Sequence, residues 1–218
     1  MPLSPPAVRQ LRHRRAINVE AFERDDGLWD IEACLTDTKP RDMRLGSGIR
    51  PQGLPIHELH LRVTVNRALD IVDAESSSDW VPYPGHCDEI NPAYRALIGL
   101  NLTESFRRHV AQRLGARAGC THLTELCAVL PTAAIQAVFN HDADRSREAS
   151  NPSAALAFDG EPREAPFQLD RCHALRLDGE VVKLFYPRWY GHTPRAVKGV
   201  RVAPASHTGN EVMSNSQT

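Results

Sequence analysis

No stretch of the chain approaches the ~18 consecutive apolar residues that a bilayer-crossing helix needs, and the N-terminus carries no apolar core of a secretory signal. The expectation is a protein of the reducing cytoplasm with no membrane partner. Excess charge of either sign is also lacking: 26 basic against 27 acidic residues leave a formal net charge of -1, which argues against a nucleic-acid partner. The basic run Arg9, Arg12, Arg14 and Arg15 is local and reads as a solvated leader or strand flank. Paired CxxC spacing, a Walker loop, GxGxxG, GxSxG and HExxH are all missing, so the common zinc, nucleotide, hydrolase and metalloprotease chemistries lack their residues. The five cysteines, Cys34, Cys87, Cys120, Cys127 and Cys172, are scattered and odd in number, which argues against a closed disulfide framework. Free thiols, or thiols on a metal, are what remains.

What is present reads as one α+β domain: an antiparallel β-sheet built from hairpins and packed on a helical layer. A length of 218 residues suits one substantial core and is short for two. Ile17, Val19 and Ala21 alternate with polar residues, Asp26-Gly27 supplies a turn, and Trp29, Ile31, Ala33 and Leu35 alternate again, which predicts a hairpin with Cys34 facing away from the apolar side. The clearest strand has Leu59, Leu61, Val63 and Val65 on one face and Glu58, His60, Arg62 and Thr64 on the other, with Leu69 to Glu75 as its expected antiparallel partner. Prolines 82, 84 and 92 mark an irregular segment containing His86-Cys87. Helices are expected at 93–100, 104–114 and 121–140, the last kinked at Pro131. The expected organisation is a disordered leader over 1–11, a core over 12–140, a polar loop or linker over 141–166, a C-terminal hairpin over 167–202 turning at Asp178-Gly179 and adding to the core sheet, and a disordered tail over 203–218.

The segment richest in chemistry runs from Gly119 to Cys127. Cys120 precedes a helix start, where amides and the helix dipole favour a thiolate, while His122 and Glu125 share one helical face. These three are the candidate catalytic residues. His86-Cys87 is a second thiol–imidazole pair, in a loop held by prolines. The candidate metal set is therefore Cys87, Cys120 and His122, with Glu125 or His60 nearby, and zinc or an iron-sulfur species would suit such donors. His57, on the apolar side of its strand, reads as a half-buried histidine with a satisfied partner. Two rivals stand beside a metal-binding or thiol-active protein. One is a metal-free small-molecule catabolic enzyme using Cys120 or His122 as nucleophile or acid/base. The other is a non-catalytic module that meets a protein partner through Phe185-Tyr186-Pro187-Arg188-Trp189-Tyr190.

Four motifs in order, RRAINVEAFERDDGLWDIEACLTDTK, GLPIHELHLRVTV, PYPGHC and GARAGCTHLTEL, resemble the bacterial domain-of-unknown-function family 2889 over roughly residues 12 to 139. That resemblance implies a domain boundary and transfers no catalytic residue. The order of strands, then LHLRVTVNRALDIVDAES, then Cys87 and Cys120 also resembles iron-sulfur scaffold proteins of the NifU and IscU type. Those scaffolds use three cysteines with an acidic residue or histidine, and Cys127 is badly placed to be the third.

Overall fold

The computed structural model describes residues 3–138, 165–166 and 168–192. Most of the expected linker and all of the expected tail lie outside the described residues. By its contacts the chain divides into two units, Met1–Ala155 and Leu156–Thr218.

The first unit is α+β. Its four-stranded antiparallel sheet has the order β1 (Arg14–Glu23), β2 (Trp29–Thr38), β5 (Pro55–Val65), β6 (Ile71–Trp80). A separate two-stranded ribbon, β3 (Met43–Leu45) with β4 (Gly48–Arg50), interrupts the connection from β2 to β5. The alternation in β2 is complete: odd-numbered residues are buried and even-numbered ones half-buried, so Ile31, Ala33 and Leu35 enter the core and Cys34 faces outward. β5 continues that inner face with Leu59, Leu61 and Val63, and Leu61 sits directly opposite Ala33. The partner of β5 runs further than the alternation suggested, because Asn66 and Asp70 close the turn on each other and pairing continues to Trp80.

Helices cover the inner face. A 3-10 helix over Asp88–Leu97 brings Tyr94 and Leu97 into the core, and α1 (Phe106–Leu114) adds Phe106, Val110 and Leu114. The long helix expected over 121–140 is two helices, α2 (Thr121–Cys127) and a second, α3, over 130–138. Pro131 is the cause: it offers no N–H and its ring clashes with a carbonyl one turn back, so it is accommodated in the first turn of a new helix, where no such bond is lost. Leu126, Leu130, Ala134 and Val138 keep a common apolar side across the break and are fully buried.

In the second unit, residues 180–185 form a helix, α4 (Glu180–Phe185), rather than the second strand of a hairpin. Asp178-Gly179 precedes its first turn instead of joining two strands, and Glu180 suits that N-terminus. Val182 is buried with Leu169 and Leu177, and Tyr186 and Trp189 pack against them. Two of the aromatics expected to form a contact surface are thus committed to this small core. No helix among the described residues is long and apolar enough to cross a membrane.

Candidate functional site

The inward alternation of β2 does not stop at Leu35. Asp37 takes the next inward position and is 2% exposed, so a carboxylate lies where the pattern supplies an apolar residue. Such a group must be paired. Strand register provides the partners: Arg15 of β1 and His57 of β5 both stand directly opposite Asp37, forming one row across three strands. The Arg15 guanidinium donates from Nε to Oδ1 at 2.9 Å and from Nη2 to Oδ2 at 2.7 Å, a two-point fork. His57 Nδ1 lies 3.1 Å from Oδ2 and His13 Nε2 3.0 Å from Oδ1. The start of α2 lowers His122 onto the same row, with Nε2 3.9 Å from Asp37 Oδ2 and the ring stacked 4.0 Å from that of His57. Glu125, one turn along α2, pairs with the second arm of Arg15.

Burial alone would raise the Asp37 carboxyl, but hydrogen bonds and charge from Arg15, with help from His13 and His57, hold it below the ordinary carboxylate range. Both imidazoles are pushed down. Burial is the main cause for each, reinforced by His122 at His57 and by Arg15 at His122, against the opposing pull of Asp37. Two neutral imidazoles beside one ionised carboxylate are therefore the resting state near neutral pH. A histidine with a lowered folded-state value leaves stability intact above the unfolded value of about 6.5 and costs stability as pH falls below it, because the unfolded chain binds the proton more tightly. The melting temperature is expected to drop between about pH 7 and pH 5. The double variant His57→Gln, His122→Gln flattens that slope in a thermal scan, and an unchanged slope refutes the linkage.

Cys120 stands just before α2 with its Sγ 3.8 Å from His122 Nδ1. Its backbone is pinned by Tyr94, whose hydroxyl donates to the Cys120 carbonyl at 2.8 Å and accepts from the Cys120 amide at 3.0 Å. Thr124 meets the same hydroxyl at 2.9 Å. Burial pushes the Tyr94 phenol up to about 12, so it remains a neutral donor and acceptor. Tyr94→Phe leaves the Cys120 amide without its partner and is expected to cost about 1–3 kcal/mol by chemical denaturation. Retained stability would show that water replaces the hydroxyl.

Cys120 and His122 open onto a cavity of about 430 Å3, whose wall also includes His57, Leu59, Tyr83, His86 and Cys87. The two thiol–imidazole pairs singled out in the sequence thus share one cavity. Of the two expected neighbours, Glu125 joins through Arg15, whereas His60 lies on the opposite face of the sheet from the buried Leu59 and Leu61. Cys127 is fully buried, donates to the Leu123 carbonyl, and is held up at about 12 by burial, so it is an inert core thiol. Asp37, Arg15 and His13 were not anticipated as site residues. The available signal was the acidic residue at an inward position of β2.

A family model of proteins of unknown function, DUF2889, matches residues 13–136. The chain belongs to this family. The matched span of DUF2889 begins at His13 and ends beyond Glu125, so every residue of the Asp37 row, the cavity thiols and Tyr94 fall within it. No curated protein and no solved structure matches the chain, so the architectural likeness to iron-sulfur scaffolds has no support.

Proposed function

We propose that this DUF2889 domain is a thiol-active protein in which Cys120 attacks a small electrophilic substrate bound in the cavity. The observation that carries the reading is the line Cys120 Sγ, His122 Nδ1, His122 Nε2, Asp37 Oδ2, with gaps of 3.8 Å and 3.9 Å at its two ends. One tautomer uses both ends. Nε2–H faces the carboxylate, which leaves the Nδ1 lone pair free to take the thiol proton. Both gaps are longer than a working hydrogen bond, as is common in sites without substrate. His57 meets the same oxygen, Oδ2, while Arg15 Nε and His13 hold Oδ1, and burial keeps the base neutral as the step requires. In an acyl-type reaction the sulfur bonds to the carbonyl carbon, its proton passes to Nδ1, and the departing group takes that proton as its bond breaks. Leu59, Val81 and Ile90 give part of the cavity an apolar lining, which suits a substrate with a hydrocarbon portion.

The test needs no substrate. Iodoacetamide is reacted with the full chain near neutral pH, and each cysteine is followed by peptide mass spectrometry. Loss of the base in His122→Ala is expected to slow alkylation of Cys120 about tenfold or more. The exposed Cys172 serves as the internal standard. An unchanged Cys120 rate relative to Cys172 overturns the reading.

A second reading rests on one specific observation: Asp37, His57 and His122 each offer a ligand atom, all within 4.8 Å of one another, as a three-ligand metal centre requires. In it the cavity carries a metal ion, with Cys120 or Cys87 as further donors. The guanidinium fork on Asp37 weighs against it, because that carboxylate is already committed to a cation. Metal analysis of protein purified without chelator separates the two readings: an ion lost in His57→Gln favours the second.

A further inference from the structure

The outer face of the sheet carries a second cluster that the cavity does not use. Cys34 of β2 and His60 of β5 are directly opposed, and Glu58 lies two residues along β5 on the same side. Cys34 Sγ, a nitrogen of His60 and a carboxylate oxygen of Glu58 all lie within 4.8 Å of one another. The closest approach of thiol to imidazole, Sγ to Nε2, is 4.0 Å. A fourth donor arrives through an irregularity. Between Glu58 and Leu59 the register with β6 shifts, so that Glu58 faces Trp80 while Leu59 faces Ser78. Asp79 is left without an opposite residue, and its Oδ2 comes 3.4 Å from His60 Nε2. A bulge is a means of re-aiming one side chain, and here it turns a carboxylate onto a cysteine–histidine pair.

We propose that Cys34, Glu58, His60 and Asp79 form a binding site for a divalent transition-metal ion of the zinc type, distinct from the cavity and independent of its thiol chemistry. One thiolate, one imidazole and two carboxylates make a mixed donor set that such ions accept in tetrahedral geometry. Bond lengths of about 2.3 Å to sulfur and about 2.0–2.1 Å to nitrogen or oxygen place neighbouring donors roughly 3.5 Å apart. The distances from His60 Nε2 to Cys34 Sγ, 4.0 Å, and to Asp79 Oδ2, 3.4 Å, bracket that spacing; Asp79 stands outside the 4.8 Å set of the other three and would join by a rotamer change. The thiol is held up mainly by burial and further by Glu58 and Asp79, although Thr36 donates toward it. A cation among these groups reverses both penalties at once. A cleft of about 420 Å3 lined by Cys34, His60, Arg62 and Ser77 opens the cysteine–histidine pair to ions from solvent. The three strands supplying ligands are neighbours in the sheet, so the ion would also staple β2, β5 and β6.

Cobalt(II) chloride titrated into the chelator-stripped full chain reports the site directly. A thiolate-to-cobalt charge-transfer band in the near ultraviolet is expected. Cys34→Ser removes that band and Cys120→Ser leaves it intact. His60→Gln weakens cobalt binding by more than the roughly tenfold that losing a supporting group costs. Zinc should also slow alkylation of Cys34 in the unmodified chain, a measurement that needs no variant to fold. The proposal is overturned by the absence of the band at saturating cobalt, by its survival in Cys34→Ser, or by zinc leaving Cys34 alkylation unchanged. An ion bound by Asp37, His57 and His122 alone would give no such band, and one that also recruited Cys120 or Cys87 would give a band that survives Cys34→Ser.

Discussion

Arg15→Ala is expected to destabilise the family domain by about 3–5 kcal/mol, more than Asp37→Ala, which we place near 2–3 kcal/mol. The asymmetry follows from exposure. Removing Arg15 leaves a carboxylate that is 2% exposed with only imidazole partners, whereas removing Asp37 leaves a guanidinium that is 31% exposed and can rehydrate. Breaking a buried pair from its buried side and from its accessible side are different experiments. Urea unfolding followed by circular dichroism gives both numbers, and equal losses would show that Asp37 gains water in the variant. Acid stability should change in parallel. The lowered Asp37 value makes its stabilisation complete above the unfolded value of about 3.9 and lost as pH falls through the folded value. Without Arg15 the principal lowering influence is gone, so acid unfolding of Arg15→Ala should begin at higher pH.

Leu61→Ala should cost about 2–5 kcal/mol, toward the upper end, because the side chain is 1% exposed and has rigid neighbours on every side. Ala33 stands opposite it on β2, Ser76 opposite it on β6, and α2 packs over β5. The sheet leaves little room for collapse into the vacated volume. Thermal and denaturant unfolding measure the loss, and a value near 1 kcal/mol would mean that α2 settles into the gap.

The same residue shows why the sheet was readable. Period-two alternation in Trp29 to Leu35 and in Leu59 to Val65 is a local property, and the burial it predicts is what β2 displays and β5 displays up to Val63; Thr64, expected on the polar face, is buried and donates to Asp30. The outward direction of Cys34 followed from the same count. The Asp37 row was not readable, because Arg15, Asp37, His57 and His122 meet only once register and helix docking are known, and no spacing within one segment encodes either. Cys120 beside His122 was visible as a local pair, but the line through His122 to Asp37 was not. The bulge that turns Asp79 toward His60 likewise depends on the pairing of two strands. Pro131 produces a break between two helices rather than a kink in one, since helical periodicity runs on across it and carries no sign of the restart. The segment VVKLFY has strand-like composition, and packing of Val182 on Leu169 and Leu177 overrides that preference in favour of a helix.

Among the described strands β1 is an edge, hydrogen-bonded to β2 alone, and most of its side chains face solvent. Little apolar surface holds it down: Val19 and Ala21 are half-buried, while Ile17 is 37% exposed. Its first turn of attachment is instead electrostatic, through Arg15 to Asp37 and onward to Glu125 in α2. The strand most prone to fray is thus fastened at one end by the group that orients His122. Fraying of β1 and loss of order at the cavity become a single local-unfolding event, with amide protection in the edge strand reporting on the geometry of the site.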